Sequence, residues 1–149
     1  MVCVHVSSVT DMSSMFYGAT EFNGGLSGWN VSSVTGMNRM FWNADAFNGD
    51  LSSWNVSSVT DIGDIFFNAV ALNCDLSGWD VSSITYMNRM CYGATVFNGD
   101  LASWDVSSVT DMGDNFFNAL QFNCNFSSWD VPSLICIGCS MVPLHLMAS

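Results

Sequence analysis

The amino-acid sequence predicts an α/β repeat solenoid, with one short parallel strand and one short helix in each 25-residue coil and about five coils in all. Two observations lead to this prediction. Between successive W-[ND]-V segments, the apolar residues change from a spacing of two to spacings of three and four. The second observation is that these segments recur every 25 residues. Fixed periods of this size are typical of solenoids, in which each unit buries its apolar side against its neighbours. The tryptophans that open the segments, 25 residues apart, are Trp29, Trp54, Trp79, Trp104 and Trp129.

The elements of one coil follow from its spacing. Trp29 and Val31 are two residues apart, so they share one face of an extended strand, and burial of that face is favoured over an exposed aromatic platform. The residues from Met37 to Phe47 are apolar at steps of three and four, which fits a short amphipathic helix with Thr35 as its N-cap. A recurring F-N-G-D segment supplies Asn and Gly where the chain turns back. The chain then divides into a partial first repeat (1–28), four full repeats (29–128) and a degenerate last coil with an apolar tail (129–149).

Two long segments carry a resemblance to a known family. The units FNGDLSSWNVSSVTDIGDIFFNA and FNGDLASWDVSSVTDMGDNFFNA resemble the BspA-like leucine-rich repeat family, in which M-F-x-x-A-x-x-F-N-x-D-L-x-x-W-D-V-x-x-V-T recurs. The resemblance covers roughly residues 4 to 131. It implies a leucine-rich-repeat fold used for adhesion and protein contacts at the cell surface or outside the cell. The sequence shows no signal peptide, and from Pro132 onward it leaves the repeat.

Composition excludes several classes of function. The chain has 13 acidic side chains, two arginines and no lysine, for a formal charge of −11. Nucleic-acid binding requires a basic patch, which this chain lacks. No apolar run is long enough for a membrane span. The two histidines, His5 and His145, lie in the irregular ends, so no catalytic triad can form within the repeats. We therefore expect a protein that is not an enzyme and has no cofactor and no catalytic or metal-binding residues.

One row of charged residues alternates in sign from coil to coil. Arg39, Asp64, Arg89 and Asp114 occupy equivalent positions in successive repeats. We expect each arginine to bridge neighbouring aspartates and so to fix the register, at no more than about 1 kcal/mol for each exposed pair. The functional alternative is an arginine site for an anionic ligand.

The cysteines allow two interpretations. Cys74 and Cys124 are two coils apart, which places them about 10 Å from each other, beyond the roughly 7 Å limit for a disulfide. We expect free thiols there, and a small buried apolar side chain at Cys91. Cys136 and Cys139 have the spacing of a redox pair or half a zinc site, or they belong to a frayed last coil.

Periodic polar side chains form the candidate interaction face. One row of amides and carboxylates is either a solvated acidic surface or a set of calcium ligands between coils. The hydroxyl groups of the S-V-T segments either cap turns and helices or form a lattice suited to ice. A third row, of asparagines, is expected to bond to the backbone of neighbouring coils. The first row is Asn30, Asn55, Asp80, Asp105 and Asp130; the second is Ser33, Thr35, Ser58, Thr60, Ser83, Thr85, Ser108 and Thr110; the third is Asn23, Asn48, Asn73, Asn98 and Asn123.

Neither end of the repeat array looks capped, because residues 1–6 and 134–144 are largely apolar. Asn115 replaces a core methionine or isoleucine and brings an amide that needs a partner. We expect a non-catalytic repeat scaffold for protein–protein contact or surface adhesion, acting through the strand face or the uncapped ends, and self-association is a further expectation. The alternatives are carbohydrate or ice binding by a periodic face, and an accessory subunit docked through its ends.

Overall fold

A computed structural model describes residues 6–124 and 126–129. Within these residues there is no α-helix and no continuous β-strand, and the regular pairing is confined to isolated parallel bridges. The bridges link equivalent residues of neighbouring repeats, so the repeats lie side by side in register. We number them as unit 1 (up to residue 28), unit 2 (29–53), unit 3 (54–78), unit 4 (79–103) and unit 5 (104–128). The bridges join Asp11 to Gly36, Gly36 to Asp61, Asp61 to Tyr86 and Tyr86 to Asp111.

The predicted α/β solenoid, with its leucine-rich-repeat-like strand and helix in each coil, is wrong. Where the helix was expected, residues 38–43 and their equivalents form consecutive turns. Arg39 has a φ of 56° and Asn43 a φ of 53°, and such left-handed residues cannot continue a right-handed helix. Because the chain reverses at these residues, apolar side chains three and four apart face inward without helical structure.

The backbone amides of this turn segment bond alternately in two directions. The amide of Met40 donates to the carbonyl of Met37, three residues earlier and 3.2 Å away, and the amide of Trp42 donates likewise to Arg39. The intervening amides donate to the next unit over 2.8–3.0 Å, so the backbone is satisfied without a helix. These inter-unit bonds run from Met37 to Asp61, from Arg39 to Gly63, from Phe41 to Ile65 and from Asn43 to Phe67.

The expected strand is also absent. The amide of Trp54 donates to the carbonyl of Leu51 over 3.1 Å, and that of Val59 donates to Val56 over 2.8 Å, so tight turns lie on both sides of the W-x-V segment. Both Trp54 and Val56 are nevertheless buried. The spacing of two therefore reports a shared inward face but not an extended chain.

The core runs through all units as stacked layers of like side chains. In unit 2, Met37, Phe41, Phe47 and Leu51 have no exposed surface. Phe41 stacks on Phe47 within its own unit and on Phe66 of the next, with ring centroids 4.0 and 5.6 Å apart. The part of the chain that the structure describes contains no helix able to span a membrane.

Asn115 interrupts this pattern in unit 5. Its side chain is buried, and its Oδ1 accepts a hydrogen bond from the amide of Met90 over 3.1 Å. In unit 2 the equivalent amide, that of Met40, bonds instead within its own turn. Asn115 Nδ2 is buried without a partner among the described residues. The polar substitution thus replaces one local backbone bond by a bond between units.

Candidate functional site

The tryptophan column lies in the interior. Trp54, Trp79 and Trp104 are each 3% exposed, whereas Trp29 and Trp129 at the two ends are partly buried. Trp79 stacks on Trp104 at 6.3 Å with planes 2° apart, and the indole Nε1 of Trp79 donates to the carbonyl of Leu51 over 3.1 Å. With both faces covered, these indoles offer no platform to a sugar.

The row of amides and carboxylates closes local turns. Asn30 Oδ1 accepts bonds from the amide and the hydroxyl of Ser32, at 3.2 and 2.8 Å. Asp80 Oδ1 accepts bonds from both groups of Ser82, at 3.2 and 2.6 Å. Asn55 and Asp105 make equivalent contacts, whereas Asp130 lies outside the described residues. One oxygen of each of these described side chains is therefore occupied by hydrogen bonds that close a local turn.

The threonine hydroxyls form hydrogen bonds between neighbouring units. Thr35 Oγ1 donates to the carbonyl of Thr10 over 3.2 Å, and Thr60, Thr85 and Thr110 repeat the contact at 3.1–3.3 Å. No helix follows these residues, so the expected capping role is replaced by a bond between units. Ser33 Oγ donates to the carbonyl of Ser7, while Ser58, Ser83 and Ser108 are exposed. Because each threonine proton is directed at a carbonyl, the row presents few free donors to a water lattice.

The asparagine row forms a ladder along the units. The amide of Asn48 donates to Asn23 Oδ1 over 2.9 Å, and the amide of Asn73 donates to Asn48 Oδ1 over 2.7 Å. Asn98 and Asn123 continue the ladder at 2.9 Å per step. The side chains thus connect units and leave little for a ligand.

The charged row forms one cluster instead of a chain of bridges. Both arginines converge on Asp64, whose Oδ2 lies 3.4 Å from Arg39 Nε and whose Oδ1 lies 2.9 Å from Arg89 Nε. No ion pair joins Arg89 to Asp114 among the residues described. Burial raises the pKa of Asp64 above its usual value, although Arg89 and Arg39 act in the opposite direction. The side chains of Arg39 and Arg89 are 54% and 38% exposed.

The described cysteines are buried. Cys74 and Cys91 are free thiols, and no disulfide joins Cys74 to Cys124. Burial raises the pKa of Cys74 to about 12 and that of Cys91 well above its usual value. The amide of Leu101 donates to Cys124 Sγ over 3.3 Å. These three thiols therefore lack the lowered pKa of a reactive cysteine.

The structure shows an outer aromatic column that sequence analysis missed. Its rings are stacked with centroid distances of 5.8, 3.9, 4.6 and 4.9 Å and with planes 6–18° apart. Each ring follows an inward-facing core residue in the turn segment. We call this column the aromatic ladder, and it consists of Tyr17, Trp42, Phe67, Tyr92 and Phe117.

Backbone bonds on both sides of each ring set this spacing. The amides of Phe41 and Asn43, which flank Trp42, each donate to the next unit over 2.8 Å. Tyr17 is 54% exposed and the other four rings are partly exposed. Because each ring stacks on its neighbours, the inner rings show mainly their edges to solvent.

The surroundings of the aromatic ladder are polar. The Cζ atom of Arg39 lies 5.7 Å from the ring centroid of Trp42, and the Cζ atom of Arg89 lies 5.7 Å from that of Phe67. A groove of about 430 Å³ crosses the units, and four of its lining residues directly follow rings of the ladder in sequence. The groove is lined by Thr20, Asn43, Asp45, Asn68, Val70, Gly93, Thr95 and Asn118.

The sequence contained a signal for this column. Each unit has an aromatic residue directly after its inward Phe or Cys, and then Gly or Asn. A helical interpretation places these aromatic residues on an outer helix surface and gives them no relation to one another. In stacked turns they become neighbours across units, because equivalent residues lie one above the other.

Several predicted features lie outside the described residues. These are Asp130, Cys136, Cys139, the two histidines, and the greater part of the apolar ends. Within the described residues, no three His, Cys, Asp or Glu side chains come together in a way that could hold a metal ion.

Comparison with known proteins corrects the expected family. A family model described as "Mycoplasma protein of unknown function, DUF285" matches residues 3–94 and 67–138. The expected membership of the BspA-like leucine-rich repeat family is wrong, since the model that matches is that of DUF285. Neither a comparison with curated proteins nor one with solved structures found a match. The chain belongs to the DUF285 family of Mycoplasma proteins of unknown function.

Proposed function

We propose that this protein is a non-catalytic scaffold for protein–protein contact and that its contact surface is the aromatic ladder with the two adjacent arginines. The observation that carries the proposal is a column of five partly exposed rings on the outside of a molecule whose tryptophan, threonine and asparagine rows make internal hydrogen bonds. Aromatic residues and arginine are enriched in protein interfaces and in their energetic hot spots.

The geometry of the ladder favours a protein partner over a carbohydrate. Sugars stack on free aromatic faces, and the inner rings of the ladder have both faces covered by their neighbours. Exposed ring edges can instead contact apolar side chains. The rings are already fixed by stacking, so binding loses little side-chain entropy. The tryptophan column and the threonine row give carbohydrate and ice binding still less support. An extracellular location stays a prediction.

A matched pair of tyrosines tests the proposed function. Tyr17 belongs to the ladder, whereas Tyr86 lies at a bridge position outside it, and the two are 54% and 53% exposed. We would replace each in turn by a photoreactive phenylalanine analogue, express the protein in the source organism, and identify covalent adducts after illumination. We expect a discrete protein adduct from position 17 and none of comparable yield from position 86. Equal yields, or adducts with glycan alone, would contradict the proposal.

A further inference from the structure

We infer that the partner element bound by the aromatic ladder is an amphipathic α-helix lying along the stack of units, with a carboxylate near the two arginines. This inference rests on the proposed function and specifies its partner. Four observations carry it: the step between rings, the groove beside them, the charge next to them and the apolar residues around them.

The first observation is the step between rings. Successive centroids are separated by 3.9–5.8 Å. Residues three and four apart on a helix are about 4.5 and 6 Å apart along its axis, and they lie on one face. A strand repeats its side chains on one face about every 6.6 Å, which is longer than every step of the ladder. Side chains on one helix face can therefore meet successive rings, whereas those of a strand fall out of step.

The second observation is the groove. It runs beside the ladder from Thr20 in unit 1 to Asn118 in unit 5 and has a volume of about 430 Å³. Its lining is mostly amide and hydroxyl, and one carboxylate, that of Asp45, lies in it. In helix-in-groove recognition an amphipathic helix lays its apolar face against a hydrophobic surface. Here the ring edges of the aromatic ladder would contact that face, and the polar groove would contact the flank of the helix.

The third observation is charge. Arg39 and Arg89 are the only basic residues apart from the histidines, and both lie at the ladder, within 6 Å of its rings. They share the carboxylate of Asp64, so this group of three side chains has a net charge of about +1 in a strongly acidic chain. Both side chains are partly exposed, and each guanidinium group has N–H donors beyond those that contact Asp64, which can bind a carboxylate on the flank of a helix.

The fourth observation is the position of other exposed apolar side chains. Val70, which lines the groove, is 40% exposed, and Leu120 at the equivalent position two units later is 65% exposed. Each of these side chains follows a ring of the ladder by three residues in sequence and adds exposed apolar surface to that of the rings. A single row of rings would be narrow for a helix face, which covers about 100°.

A set of three synthetic peptides tests this inference. The first has 18 residues, leucines at positions i, i+3, i+4 and i+7, and glutamates on one flank. The second has the same composition with leucines at alternate positions, and the third has glutamine in place of the flanking glutamates. Binding of labelled peptide is measured by fluorescence anisotropy at 0.15 M salt, and helix content by far-UV circular dichroism.

We expect saturable binding of the first peptide with a gain in helix content, and at least tenfold weaker binding of the alternating peptide. Tyr17→Ser should weaken binding at least threefold, while the matched control Tyr86→Ser leaves it unchanged. Arg39→Gln should weaken the glutamate peptide but not the glutamine peptide. Asp64 keeps Arg89 in that variant, so the cluster stays paired.

Other outcomes overturn the inference. Equal binding of the helical and alternating peptides, no gain in helix content, or equal effects of the two tyrosine variants would each show that no helix is recognised at the ladder. If position 17 still forms protein adducts in the photochemical experiment, the proposed function stands while the helical partner is rejected. If position 17 forms no protein adduct, both fail.

Discussion

At the scale of single residues, the course of the chain depends on positions with left-handed backbone conformation. Gly18 and Gly93 both have a φ of 69°, and asparagine fills the equivalent position in the other units. The two glycines differ in their surroundings. A methyl group at Gly18 meets no atom within 4 Å, whereas one at Gly93 would collide with Asn68 Oδ1. The side chain of Asn68 thus occupies the space that Gly93 leaves open.

This difference gives a matched pair of substitutions. We expect Gly18→Ala to lower the free energy of unfolding by about 1 kcal/mol, the cost of a left-handed alanine. Gly93→Ala should lower it by a further 1–3 kcal/mol or so, because the added methyl overpacks the site. Urea denaturation measures both values, and adding Asn68→Gly to Gly93→Ala should recover part of the loss. Equal effects of the two alanine variants would show that Asn68 does not fill the space.

The buried thiols give a second prediction at this scale. Because burial raises the pKa of Cys74 to about 12 and that of Cys91 well above its usual value, little thiolate forms near pH 8. We expect iodoacetamide to leave both residues unmodified in the folded protein and to modify both in urea, as read by peptide mass spectrometry. Rapid labelling of Cys74 without denaturant would contradict its buried position.

At the scale of elements, the repeated turns depend on pairs of an acidic residue and serine. The serine two residues later lowers the pKa of five aspartates below the usual value. The hydrogen bond from its hydroxyl has the larger effect, and the bond from its amide has the smaller one. A lowered pKa in the folded state means that the unfolded chain binds protons first as the pH falls. The five are Asp11, Asp50, Asp75, Asp80 and Asp105.

This linkage predicts acid destabilisation. The stabilisation from these turns should be fully present above the unfolded pKa of 3.8 and should be lost as the pH falls below it. Asp64 acts with the opposite sign, because its raised pKa reduces stability as the pH rises from 3.8 through its folded value. Melting temperatures between pH 2.5 and 6 measure the balance. The triple variant Ser52→Ala, Ser77→Ala, Ser82→Ala should show a weaker pH dependence on the acidic side, and an unchanged profile would disprove the role of the turns.

The asparagine ladder supports a prediction about contact between units. Asn73 Oδ1 accepts the amide of Asn98 in the next unit. We expect Asn73→Ala to destabilise the protein by about 0.5–1.5 kcal/mol, the usual net value of one hydrogen bond. Ser58→Ala, an exposed serine in the same unit, is the control. Urea denaturation should separate the two variants, and equal stabilities would mean that the asparagine ladder contributes nothing to the free energy of unfolding.

The sequence allowed the inward residues of the repeats to be assigned but not the backbone. Met37, Phe41 and Phe47 were placed inward from their spacing, and they are buried. The same spacing arises from a helix and from a series of tight turns, so it could not decide between them. The left-handed residues do decide. Those after each outer aromatic are signalled by a recurrent Gly or Asn, whereas those four residues earlier, such as Arg39, have no such signal. Pairing of Arg39 and Arg89 with one shared aspartate depends on side-chain directions that spacing does not specify.

At the scale of the whole molecule, stacking in register turns a modest feature of one unit into an extended surface. A single Trp42 next to Arg39 would be an unremarkable exposed aromatic residue. Repetition across five units gives a column of stacked rings, and a polar groove and the only two arginines of the chain lie next to it. The proposed contact with a protein helix depends on this column, and the column depends on the bonds between units.

The pairing between units is therefore the most direct object of a test. Scalar couplings across hydrogen bonds, measured by long-range HNCO spectroscopy on isotope-labelled protein, identify the acceptor carbonyl of each amide. We expect the amides of Arg39 and Phe41 to couple to the carbonyl carbons of Gly63 and Ile65, in the next unit. Couplings from these amides to Thr35 and Met37, four residues earlier, would show a helix in each repeat and contradict the stacked turns that place the aromatic ladder on the surface.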